Sequence, residues 1–270
     1  MPWTDTHLDW LEDTGESIHT ACGMEAKVFS FNHDASDNII MSEWATHFRN
    51  HYCLDTELKY LKPKNTSNKE YLELKFPNPK KGFGPRIRAG DFSEILVADY
   101  LQYLNNYYVP RTRYDRKTIG DESTKGSDVL AFQQHSNEAD SNDELLVYEV
   151  KAKLTPAKND DRLQIAVNDS VKDETRIAES LNAIRQRLFD KQDFDGVKVI
   201  DRFQDNVESP YITNYGAAAV ITNSAFCKST LEKTDTTQHP NRDNLELLVI
   251  RGEALMSLVH ALYQRAANEA

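Results

Sequence analysis

Asp128, Glu149 and Lys151 are the residues whose types and spacing could do chemistry. Asp128 opens a short apolar run at 126–132, GSDVLAF, and Glu149 and Lys151 stand two apart in a second run at 144–154, ELLVYEVKAKL. Alternate side chains of an extended strand share a face, so Glu149 and Lys151 should stand together. If the two runs are neighbouring strands, Asp128 joins them. Two carboxylates on adjacent strands make a hard oxygen site suited to Mg²⁺ or Mn²⁺, and the lysine adds a fixed positive charge. Such an ion acidifies a bound water and neutralises charge on a scissile phosphate, while the ammonium orients that water or stabilises the transition state. The bland alternative is an exposed ion pair at a strand end.

Glu-x-Lys also occurs at Glu25–Lys27, Glu57–Lys59 and Glu73–Lys75. The last is a competitor, because it lies in a strand-like YLELKF with Asp55 upstream. The Asp55 segment, LDTELKYLKP, reads as helical or irregular, so the 149–151 pair is preferred. Glu94 is either a helix-borne carboxylate of the same site or the closing member of a capping box with Asp91. His47 and His51, four apart with Cys53 nearby, have a spacing that can hold a metal; the alternative is a pair of surface or core histidines. Phosphate loops of the Walker type, dinucleotide-binding glycine fingerprints, Gly-x-Ser-x-Gly elbows and His-Glu-x-x-His motifs are absent from the sequence, which leaves ATP hydrolysis, dinucleotide redox chemistry and serine hydrolysis without support.

The elements that must position these residues follow from periodicity. AKVFSF (26–31) reads as a strand, and SEWATHFRNHY (42–52) as a helix capped by Ser42. NPKKGFGPRIRAG (78–90), with two prolines and three glycines, reads as a loop or linker. From Asp91 a helix places Ile95, Leu96, Ala98, Leu101 and Leu104 on one face. After the two apolar runs come a charged helix over 173–189, two buried strands at 215–224 and 245–252, and an amphipathic helix over 253–267. Helices alternating with central strands predict an α/β sheet covered on both faces, with a division near residue 85 into an N-terminal region (1–85) and an α/β unit (86–270).

The 270 residues carry 32 Lys and Arg against 43 Asp and Glu, a formal charge of −11, with 39% hydrophobic residues. That is a folded chain, neither collagen-like nor disordered. No run reaches the roughly 18 apolar residues of a membrane span, and the acidic start is unlike a signal peptide. Three scattered cysteines encode no disulfide framework, so a cytoplasmic setting is expected. A net charge of −11 repels DNA as a whole. Locally, 57–90 holds nine cations against three anions, and Arg111, Arg113, Arg116 and Lys117 form a second cluster. Each is either a phosphate-facing surface or a solvated loop that balances acidic neighbours.

Glu94 in a helix, then GSDVLAF, then VYEVK resembles the PD-(D/E)xK signature of restriction-endonuclease-like nucleases. The tail, AAAVITNSAF followed by LLVIRGEALMSLVHAL, is similar to the closing strand, turn, strand and Gly-capped helix of Mrr-like restriction nucleases. More closely, from about residue 25 onward, including RAGDFSEILVADYL, the chain resembles the HamA family, nuclease subunits of the bacterial Hachiman anti-phage system. One departure is Ser127, where the motif often has proline. The resemblance implies a restriction-endonuclease-like α/β fold with a central mixed sheet flanked by helices and an N-terminal α+β extension. It implies a Mg²⁺- or Mn²⁺-dependent DNA endonuclease acting beside a superfamily 2 helicase, HamB. Asp128 and Glu149 would be metal ligands, Lys151 the catalytic lysine, Glu94 a helix-borne carboxylate and Gln164 a residue that positions substrate. A subunit of the same complex that docks DNA or restrains the helicase without cutting is the alternative.

Overall fold

The computed structural model describes residues 2–115, 117–157 and 160–270. Among them, six strands form one mixed sheet in the order β1-β2-β6-β5-β4-β3. These are β1 (Leu11–His19), β2 (Glu25–Phe31), β3 (Val129–Gln133), β4 (Glu144–Lys153), β5 (Ile212–Thr222) and β6 (Leu245–Gly252). The four inner strands β2, β6, β5 and β4 run parallel, while β1 and β3 close the edges antiparallel. Helices cover both faces, as parallel strands require. The fold is therefore α/β with a mixed sheet flanked by helices.

Strand alternation splits the core in two. On one face Phe31, Leu146, Tyr148, Val220 and Ile250 pack under α1 (Asn38–Asn50), α3 (Asn68–Lys75), α4 (Gly84–Asp99) and α9 (Leu255–Asn268). On the other, Val28, Leu145, Val147, Ala217 and Val249 pack under α5 (Arg162–Ser170), α6 (Ile177–Asp190) and α7 (Phe194–Asp201). β1 and β2, drawn from the first 85 residues, belong to this same sheet, and residue 85 lies in the first turn of α4. Among the described residues, no helix is long and apolar enough to cross a membrane.

Several local expectations are corrected. α1 begins at Asn38 rather than after Ser42, because the Asp37 carboxylate accepts the N–H groups of Ile39 and Ile40 (3.0 and 3.1 Å). The stretch 78–90 is only half loop. Pro85 sits in the first turn of α4, where the N–H it lacks has no intrahelical partner to lose, so Asp91 and Glu94 fall in mid-helix and form no capping box. YLELKF is the end of helix α3 and the turn after it, not a strand. That removes the strand geometry from the Glu73–Lys75 competitor. The DTELKYL segment is helical, α2 (Asp55–Leu61), and Asp55 receives both Arg49 nitrogens at 2.7 Å. β1, whose Gly15 turns through φ +65° at an irregularity in pairing, has no counterpart in the sequence reading.

Candidate active site

β3 pairs with β4 from Val129 opposite Tyr148, and one step further in that register sets Asp128 opposite Glu149. β4 continues past the start of β3, so the Val150 N–H has no strand partner on that side. Asp128 Oδ2 accepts it at 3.0 Å. Glu149 is buried and pairs directly with the Lys151 ammonium. The sheet thus brings together the three residues singled out by spacing, at the carboxyl end of a parallel strand, where ligands of α/β sheets generally sit.

Helix α4 supplies the fourth. Glu94 faces the end of β3, and Arg113 spans the gap: its Nε donates to Glu94 Oε2 at 2.6 Å and its Nη2 to Asp128 Oδ1 at 2.8 Å, while Nη1 holds the Ser127 carbonyl. Tyr114 donates to the same Glu94 oxygen at 2.6 Å. Ser127, which stands where the motif often has proline, uses the N–H that proline would lack to bond Ser180 Oγ at 3.1 Å. An open cleft is lined by Glu94, Asp128 and Lys151 together with Phe83, Arg86 and Arg162. Gln164 points elsewhere. It exchanges hydrogen bonds with the Asp235 backbone (3.0 and 2.7 Å) and bonds Asn168 (2.9 Å).

Burial raises the Asp128 carboxyl well above the usual range, and the nearby Glu94 and Glu149 push the same way, with Arg113 only partly offsetting them. Burial depresses the Lys151 ammonium, but Glu149 and Asp169 outweigh it and the net shift is upward. Lys151 stays charged. Asp169 meets its Nζ at 3.0 Å. Asp173, fully buried, is pushed up to about 6 by burial and by the Glu149 charge. Neither Asp169 nor Asp173 stands out in the sequence; both lie on the chain after β4, and only the packing of α5 against β4 and β5 brings them close.

The second basic cluster is not phosphate-facing. Arg111 meets Asp99 at 2.6 Å and Lys117 meets Asp91 at 2.8 Å, with Arg113 on Glu94 between them. Cations at 111, 113 and 117 thus run back along the acids 99, 94 and 91 of α4. Arg116 lies outside the described residues. In the first cluster Lys59, Lys64, Lys69, Lys80, Lys81 and Arg86 remain exposed. His47 and His51 are buried with Asp99, their ligand atoms within 4.8 Å of one another. There the Arg111 guanidinium supplies the positive charge, and His47 and His7 bond the Asp99 oxygens at 3.1 and 2.9 Å. Both histidines are buried in the core, and Cys53 is not among the three.

Compared with known protein families, residues 5–266 of the chain match the model of the family described as HamA. The chain belongs to the HamA family. Membership makes it a component of the Hachiman anti-phage system and extends the likeness into the first 25 residues. Among curated proteins, none matches the chain.

Proposed function

We propose that this HamA family member is a metal-dependent DNA endonuclease that works beside a helicase partner, HamB. The observation that carries the reading is the meeting of Asp128 and Lys151 at one open cleft, with the buried Glu149 paired to Lys151 directly beside it. The donor set fits Mg²⁺ or Mn²⁺: these are hard carboxylate oxygens, and the burial that raises the Asp128 carboxyl, with Glu94 and Glu149 adding to it, opposes a charged form that a cation would stabilise. A divalent ion held by Asp128 and Glu149 would supply charge neutralisation at the scissile phosphate and a more acidic water.

The chain's own groups do the rest. Lys151, fixed between Glu149 and Asp169, holds an ammonium where negative charge grows on the phosphate oxygens. Arg113, clamped by Glu94 and the Ser127 carbonyl, keeps Asp128 in register with Glu149. Glu94 is then a positioning residue. The alternative, a subunit that docks DNA without cutting, draws on the same Arg113, which already neutralises part of the acid cluster.

Incubating the purified full chain with plasmid DNA separates the two readings. Cleavage is expected with Mg²⁺ or Mn²⁺, little with Ca²⁺, whose longer bonds and looser coordination hold water and phosphate poorly in line, and none in excess chelator. Full cleavage in chelator would rule the metal mechanism out.

A further inference from the structure

The cleft over Asp128 and Lys151 has a second wall, made by Phe83, Arg86 and Ile87 at the start of α4. Phe83 is 70% exposed, an aromatic ring left in water at the rim of a polar cleft. Its support is rigid. The Asn78 side chain accepts the N–H groups of Lys80 and Lys81 (2.9 and 2.8 Å), the Asn78 backbone N–H donates to Asp121 (2.5 Å), and Arg88 grips the Pro77 carbonyl (2.7 Å). Gly84 lies so close beneath that a Cβ there would stand 2.1 Å from the Asn78 carbonyl oxygen. The ring is therefore presented to solvent by a fixed turn, which lowers the entropy lost when something stacks on it.

Arg86, less than one turn further on, is exposed, and among the described residues it has no ion-pair partner. It lines the same cleft as the ring. A flat apolar surface followed by a free guanidinium matches the alternation of base and phosphate along one nucleic-acid strand.

We infer that Phe83 and Arg86 form a nucleotide-binding wall: the ring stacks on an unpaired base beside the scissile phosphate, and the guanidinium binds a neighbouring phosphate. This rests on the nuclease reading and sharpens it by naming the substrate as single-stranded or locally opened DNA. A base within a duplex has both faces already stacked and cannot cover the ring without being displaced.

The test is binding in chelator, where cutting plays no part. Fluorescein-labelled single-stranded DNA and the matching blunt duplex are titrated at low ionic strength with the full chain and with Phe83→Ala, Phe83→Trp and Arg86→Ala. Phe83→Ala should weaken single-strand binding about tenfold, as the loss of one stacked base does, and leave the duplex unchanged. Phe83→Trp should keep the single-strand affinity. Arg86→Ala should weaken binding and reduce the salt dependence by about one phosphate contact. Equal single-strand binding by Phe83→Ala and parent, equal loss on both substrates, or no DNA binding by the parent would overturn the proposal. So would a Phe83→Ala variant that binds DNA normally but no longer co-purifies with its genomic neighbour, since the ring would then be a protein contact. Ring-dependent binding with no Mg²⁺-dependent cleavage, with or without the genomic neighbour, would refute the nuclease reading and leave Phe83 and Arg86 as a single-strand binding wall alone.

Discussion

Asp99 is fully buried and satisfied by Arg111, His47 and His7. Its carboxyl falls well below the usual range, the paired cation and histidines outweighing its burial. The histidines beside it move down as well: burial first, then Arg111, holds the neutral form of His51, and burial also lowers His47 despite Asp99. In the unfolded chain both take a proton near pH 6.5, whereas in the folded chain they resist it. Stability from these groups is thus intact above about pH 6.5 and is lost as the pH falls below that value. Thermal melts between about pH 7.5 and 6 should show the midpoint falling with pH, and His47→Gln, His51→Gln should flatten that slope relative to the parent. Asp91 and Asp173, raised to about 6 by burial, contribute the opposite slope to both proteins, so the difference between them reads the histidines. Identical slopes would contradict the assignment.

The elements converge on β4, and one contact beside it is tight enough to test. Gly216 in β5 lies beneath the Tyr148 ring, where a Cβ would stand 2.3 Å from a ring carbon. Gly216→Ala should therefore cost about 1–3 kcal/mol through a forced shift of the residue next to Glu149, read as a melting point lowered by several degrees. An unchanged melting point would show that the ring moves aside freely. At this scale β2 to β6 and α9 were legible in the sequence, because buried strands, the parallel ones above all, are short continuous apolar runs and α9 is strongly amphipathic. So was the pairing of Glu149 with Lys151, which strand alternation alone dictates. What escaped was non-local. Arg113 read as one member of a basic cluster, and only the chain path along α4 turns it toward Glu94 and Asp128. The start of α4 was misread because Gly84 and Pro85 break helices in mid-course yet suit the first turn. β1 escaped because its polar run bends at Gly15.

Across the whole molecule, the charge of −11 and the site work against each other. Phosphate binding grows with the number of cations engaged and weakens steeply with salt. Arg111, Arg113 and Lys117 are spent on the acids of α4, which leaves the exposed cations of 59–86 as the local footprint. On the proposed reading, such a nuclease would hold DNA poorly by itself, and a helicase neighbour would supply affinity and restraint. The central claim is that Glu149 and Lys151 carry phosphodiester chemistry, and plasmid cleavage in Mg²⁺ at low ionic strength, with and without the genomic neighbour, tests it most directly. The parent should cut, and a Glu149→Ala, Lys151→Ala variant that melts like the parent should lose cleavage by at least about a hundredfold, as removal of groups acting in the transition state does. Cutting by that folded variant at the parent's rate would contradict the account.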